Sequence, residues 1–224
     1  DNFQEDPKPV VAHRTSPTNL GLYLLSIVAA RDFGWIGTLD AVDRLEATLQ
    51  TMQRLERFRG HFFNWYDTTD LRPLDPRYVS SVDSGNLAGH LIALGHACRE
   101  IIERPHLPQT ALAGIEDAAL LVRESARAPA DGLRTRSVAR HRLDEALDAV
   151  LAAVNEVPDA AESSGRLAGL KSHARAVTDL GRSLVEDDRR RSPSEEPSEE
   201  VIVWALALQA TVESHTRDLE GASP

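Results

Sequence analysis

Leu20-Gly21-Leu22-Tyr23-Leu24-Leu25-Ser26-Ile27-Val28-Ala29-Ala30 is apolar on every side, and its reading decides the fold. A helix without a polar stripe is one buried all round. Just before it, Ser16-Pro17 is a strong helix start: serine supplies a capping oxygen and proline suits the first helical position. Just after it, Gly34 and Gly37 end the helix and permit a reversal. Thr38 can cap a second helix whose apolar positions Val42, Leu45, Leu49, Met52 and Leu55 share a face opposite Asp43, Arg44, Glu46, Arg54 and Glu56. That helix is amphipathic and belongs outside. A long loop spans about 60–82. Asp83 or Ser84 then starts a third helix carrying Leu87, Leu91, Leu94, Cys98 and Ile101. Its small residues Gly85, Ala88, Gly89, Ala93, Gly95 and Ala97 make it a second inner helix. Buried, amphipathic, buried is the order of a concentric helical barrel. The expected fold is all-α, with alternating inner and outer helical hairpins.

Beyond residue 106 helices are expected near 109–127, 138–155, 162–187 and 198–218. Two repeats support them: Leu143, Leu147, Val150, Leu151, Val154, and Leu167, Leu170, Val177, Leu180, Leu184. The run from Asp187 to Pro197 is charged and broken by proline, and reads as a linker near 187–198. The whole chain, 1–224, reads as one partial domain: motif-bearing helices and an aromatic loop in 1–105, then a divergent helical segment in 106–224.

A formal charge of −10, from 25 Lys and Arg against 35 Asp and Glu, argues against nucleic acid, which needs a basic surface to displace counterions. Apolar residues at 42% with charged residues at 27% exclude a disordered tail. The apolar run from Leu20 to Ala30 is far shorter than the roughly 20 residues a bilayer crossing needs, so no direct membrane insertion is expected. Asp1-Asn2-Phe3-Gln4-Glu5-Asp6 is acidic where a secretory leader is basic. An opening without methionine reads as part of something longer. Cys98 is the one cysteine, so an internal disulfide and a cysteine zinc site are excluded; in its apolar helix it reads as a small buried hydrophobe. The histidines show no HExxH pairing, and His13, His61, His90 and His96 read as hydrogen-bonded structural groups. No metal site is expected. No nucleophile elbow, phosphate loop or dinucleotide fingerprint occurs.

Ten of the eleven aromatics fall between Phe3 and Tyr78. Such clustering suits a ligand with flat apolar faces and many hydroxyls, a sugar, whose C–H faces lie on Trp and Tyr while amides and carboxylates take the hydroxyls. The stretch from Arg59 to Thr68 holds both kinds of group. The plainer alternative is a loop pinned by buried aromatics. Two further clusters sit at helix starts: His13-Arg14-Thr15-Ser16-Pro17-Thr18-Asn19, and Tyr78-Val79-Ser80-Ser81-Val82-Asp83-Ser84-Gly85-Asn86. Both precede inner helices separated by one outer helix, so both should emerge at the same end. Helix starts offer free N–H groups and positive partial charge to oxygen-rich ligands. Capping by Ser16 and Asp83 alone would leave Arg14, Asn19 and Asn86 unexplained. Glycoside chemistry needs two carboxylates across the scissile bond, for which Glu5, Asp67 and Asp83 are the candidates.

The motifs TSPTN (15–19), GHFFNWYDT (60–68) and YVSSVDSGN (78–86) are long and unusual. The run from Arg14 to Glu100 that holds them resembles the middle region of bacterial cyclic β-1,2-glucan synthases. The opening DNFQEDPKP and the late WALALQATVESHTRDLE resemble that family too. The resemblance implies a large parent on the cytoplasmic side of the bacterial inner membrane. Its separate transferase region would use UDP-glucose, and the region seen here would carry no cofactor. The middle region is similar to (α/α)6 glucanases and is associated with the transglycosylation that closes the ring. On that resemblance this chain is the N-terminal half of a glucoamylase-like toroid, and the missing half carries the main catalytic carboxylates. The candidate substrate-binding residues are Arg14, Thr18, Asn19, His61, Asn64, Trp65, Tyr66, Tyr78, Ser84 and Asn86, with Asp83 and Asp67 as candidate catalytic carboxylates.

Three functions fit. One is part of an enzyme, giving the glucan-binding wall of a region that cyclises linear β-1,2-glucan and inactive by itself; its partners are the glucan, the rest of the barrel and the other regions of the synthase. The second is a non-catalytic glucan-binding or scaffolding module of the same synthase. The third, an unrelated helical interaction domain, gives the aromatic loop and the paired helix starts no purpose.

Overall fold

The computed structural model describes residues 2–4, 6–103, 108–126, 138–156, 163–191 and 199–221. Within them the order is β1 (Asn2–Gln4), β2 (Val10–Ala12), β3 (Arg14–Thr15), α1 (Pro17–Asp32), α2 (Thr38–Arg54), β4 (Arg57–Phe58), β5 (His61–Phe62), β6 (Tyr66–Asp67), α3 (Ser81–Glu103), α4 (Pro108–Ser125), α5 (Val138–Asn155), α6 (Ser163–Arg191) and α7 (Glu200–Gly221). The fold is all-α. Its strands are short antiparallel pairs, β1 with β2, β3 with β6 and β4 with β5, lying before α1 or between α2 and α3. The candidate carboxylate Glu5 lies outside the described residues.

Two compact units divide the chain: residues 1–30 with 41–105, and 31–40 with 106–224. In the first, Leu24 and Ile27 of α1, Leu45 and Met52 of α2, Leu87 and Leu94 of α3, and Leu55 and Tyr66 are buried. Gly21 is needed where α1 meets α3, because a methyl there would lie 2.2 Å from His90 Nδ1. The expectation of helices buried all round is corrected. Leu22 and Tyr23 of α1 and Val82, Ile92 and Ile102 of α3 are exposed, Ile102 to 83%. Gly85, Gly89 and Gly95 face open space, and Cys98 is exposed rather than buried. Each helix therefore has one covered face and one apolar face that no described residue covers.

In the second unit α4 packs on α5 and α7, and α6 packs on α5 and α7, a closed ring of four helices. Its core interleaves Ile115 and Val122, Leu143, Leu147 and Val150, Leu170 and Val177, and Leu208 and Val212. The Arg31–Asp40 turn belongs here too, and polar groups of α7 hold it. Asp218 accepts hydrogen bonds from the backbone N–H groups of Thr38 (2.6 Å) and Leu39 (2.8 Å), so the cap of α2 comes from α7, not from Thr38. The Thr38 hydroxyl instead accepts from Arg31 Nε at 3.2 Å. Ser214 Oγ accepts from Gly37 N–H (2.7 Å) and donates to Asp40 (2.5 Å). His215 Nε2 donates to Gly34 O at 2.7 Å. Gly34 has φ +76°, and a methyl on it would lie 1.9 Å from Thr110 O. The charged linker expected from 187 begins later: α6 continues to Arg191, helped by a Glu186–Arg190 pair one turn apart (3.9 Å). Residues 192–198 of that linker lie outside the described residues.

Candidate functional site

Two serines set the site. Ser16 caps α1, its Oγ accepting from Asn19 N–H at 3.2 Å, and Ser80 caps α3, its Oγ accepting from Asp83 N–H at 3.1 Å. The reading of Asp83 as a cap of its own helix is thus corrected. Ser80 does that work, with Asp83 three residues on as in a capping box, and the Asp83 carboxylate is turned toward the start of α1. There it accepts the Thr18 hydroxyl at 2.6 Å. The two helix starts do lie at one end, joined by this bond. Asn86 adds to it, its Nδ2 donating to Thr18 Oγ1 at 3.2 Å.

The loop between β4 and α3 supplies the other side. Antiparallel pairing sets Arg14 opposite Asp67 and Thr15 opposite Tyr66, and Thr68 N–H donates to His13 O at 3.1 Å. Asn64 N–H bonds Tyr78 O at 2.8 Å, and Leu74 N–H bonds Trp65 O at 2.9 Å. The backbone thus sets Asn64, Trp65 and Tyr78 side by side. The Asn64 side-chain amide is oriented by its neighbours: its oxygen accepts from Trp65 Nε1 (2.6 Å) and Tyr78 Oη (2.7 Å), and its nitrogen donates to Asp83 Oδ2 (3.1 Å). The Arg14 guanidinium lies over the Trp65 ring, 5.0 Å from its centroid.

Six candidates, Arg14, Thr18, Asn64, Trp65, Tyr78 and Asn86, therefore meet around Asp83. The others are placed differently. Tyr66 is 0% exposed. Its hydroxyl donates to Glu56 O (2.7 Å) and accepts from Phe63 N–H (2.8 Å), so it pins the loop from beneath and offers no surface to a ligand. His61 is exposed on the β4–β5 hairpin, and among the described residues no hydrogen bond joins it to the cluster. The backbone N–H groups of Asn19 and Ser84 bond within the first turns, to Ser16 Oγ and Ser80 O. Asp67 is engaged locally, accepting from Thr69 N–H at 2.7 Å and from the Thr69 hydroxyl. Phe33 and Trp35, read with the aromatic cluster, sit in the second unit, their rings 5.1 Å apart. Ser80 is the residue that sequence reasoning left without a role, although its spacing to Asp83 is a capping-box signal.

Burial alone would push the Asp83 carboxyl up, but hydrogen bonds from Ser80, Thr18 and Ser16 outweigh it and hold the group below the usual carboxylate range. Asp67 is also held low, chiefly by the Thr69 hydroxyl and N–H. Burial raises the Tyr66 phenol, which stays neutral. Both carboxylates are therefore anions near neutrality. Each can accept a hydroxyl proton or act as base or nucleophile, and neither is poised as the proton donor that glycosyl transfer also needs. Among the described residues no group of three His, Cys, Asp or Glu side chains is placed to hold a metal ion, and no helix is long and apolar enough to cross a membrane.

No protein-family model matches the chain. Over 223 residues, 97% of its length, it is 45% identical to the cyclic beta-(1,2)-glucan synthase NdvB of Rhizobium meliloti (strain 1021). The chain is homologous to one segment of a cyclic β-(1,2)-glucan synthase. It spans 8% of that synthase's length. The match covers both units, so the later helices, which carry none of the motifs quoted above for residues 15–86, belong to the homologous segment as well.

Proposed function

We propose that the chain supplies the glucan-binding wall of the synthase region that processes and cyclises linear β-1,2-glucan by transglycosylation. One observation carries this reading: Asp83, Thr18, Asn86, Asn64, Trp65, Tyr78 and Arg14 converge where two helix starts meet, in a chain 45% identical to a cyclic β-glucan synthase. Trp65 and the half-exposed ring of Tyr78 offer flat faces to a pyranose, and Asp83 offers an anionic acceptor to its hydroxyls. Asp83 and Asp67 are both held ionised, so neither is the proton donor for transfer. The uncovered apolar faces of α1 and α3 suit further helices of the same protein, completing an (α/α)6 toroid. The parent works on the cytoplasmic side of the inner membrane, with UDP-glucose used in its transferase region.

The test replaces Trp65 with Ala, and separately Asp83 with Asn, in the whole synthase. Cyclic glucan should be lost while the protein accumulates normally; undiminished cyclic product in both variants contradicts the proposal. A second reading, a glucan-binding module without catalytic part, is favoured by the way local hydrogen bonds hold both carboxylates ionised, with neither poised as an acid. It requires both variants to weaken glucan binding while the rate of ring closure on saturating linear glucan stays unchanged.

A further inference from the structure

Asn64 reads in the sequence as a group that touches substrate. In the structure it is only 6% exposed, and both ends of its amide are committed. Its oxygen has two acceptor positions, and Trp65 Nε1 and Tyr78 Oη fill them; its nitrogen faces Asp83. On the other side Thr18 Oγ1 accepts from Asn86 and spends its one proton on Asp83. Two relays therefore run one way, from Trp65 and Tyr78 through Asn64, and from Asn86 through Thr18. Both end on a carboxylate, the one side chain that accepts without donating.

We infer that Asn64 is a positioning residue whose amide fixes the direction of the Trp65 and Tyr78 hydrogens, so that Asp83 and Tyr78 Oη meet a ligand as acceptors beside a Trp65 ring held in one orientation. This deepens the glucan-binding reading and rests on it. A surface of acceptors beside aromatic faces suits a neutral pyranose that brings hydroxyl protons, and disfavours one carrying carboxylate or phosphate. Of titratable and charged groups, Asp83 on α3 and Tyr78 in the loop meet the Asn64 amide directly, and Arg14 on β3 reaches it through Trp65. At the start of α1, Ser16 and Thr18 are uncharged and bond Asp83.

The experiment uses the full chain with linear β-1,2-glucan as probe, and follows affinity, Trp65 fluorescence (assigned by difference from Trp65→Phe) and melting temperature from about pH 5 to about pH 8. Wild type should be flat in affinity and emission, because Asp83 is already ionised. Asn64→Asp sets two carboxylates face to face, which share a proton only toward acid. Its affinity should fall about tenfold or more between those limits, with a parallel change in Trp65 emission. Asn64→Ala should weaken binding and alter Trp65 emission with no pH slope. The exchange Asn64→Asp with Asp83→Asn restores an amide–carboxylate pair with reversed polarity. It should recover melting temperature but not affinity, whereas a purely structural Asn64 would recover both. Wild-type behaviour in Asn64→Asp and Asn64→Ala, or affinity regained in the exchange, overturns the inference. If wild type binds no glucan, the functional reading fails by itself, and Trp65 emission still decides: a pH slope in Asn64→Asp supports the role of Asn64 and a flat response overturns it. If Asn64→Asp does not fold at any pH, Asn64→Ala decides, and unchanged Trp65 emission overturns the role.

Discussion

At the scale of single residues the account turns on one carboxylate. Asp83 is partly buried, and hydrogen bonds from Ser80, Thr18 and Ser16 outweigh that burial, with the Asn64 amide facing its other oxygen. Its folded pKa is depressed, so its contribution to stability is fully present above the unfolded value of about 4 and is lost as pH falls through the lower folded value. The unfolding free energy of wild type should exceed that of Asp83→Asn by about 1 kcal/mol near neutrality, a gap that closes on acidification below about pH 4. Denaturant melts over that range check it; a gap that persists at the acid end contradicts the hydrogen-bonded anion. That Asp83, Thr18 and Asn86 stand at helix starts was legible in the sequence, because helix starts have fixed spacing; that Ser80 rather than Asp83 caps α3 was not. Nor was the fate of Tyr66. Nothing in FNWYD tells whether a phenol points to a ligand or to the Glu56 carbonyl; that follows from the pairing of β6 with β3, a contact distant in sequence. The role of Asn64 was hidden for the same reason.

At the scale of elements, helices were readable from periodicity, and all four expected after residue 106 are present within a few residues of their expected ends. Partners of helix ends were not readable. The α2 cap comes from Asp218, about 180 positions away, and Thr211, Ser214 and His215 also reach the Arg31–Asp40 turn. Burial holds His215 below its usual pKa, keeping it neutral beside Gly34. The turn tolerates no side chain at Gly34, where a positive φ coincides with a methyl position 1.9 Å from Thr110 O. Gly34→Ala should cost about 2 kcal/mol or more, read as a lowered melting temperature. An unchanged melt would mean that the turn is not held as described.

At the scale of the whole molecule, all-α composition was legible, while the coverage of α1 and α3 was not. Uniform apolarity identifies a helix meant for burial, yet it cannot say which segment buries it, and here one face of each stays uncovered by the described residues. The central claim, that the meeting point of the α1 and α3 starts takes glucan, is tested most directly by following the indole N–H signals of Trp35, Trp65 and Trp204 by NMR while linear β-1,2-glucan is added to the full chain. The account predicts a saturable shift of the Trp65 signal, abolished by Asp83→Asn, with Trp204 unmoved. A Trp65 signal that stays in place while glucan shifts the others, or shifts none, would contradict it.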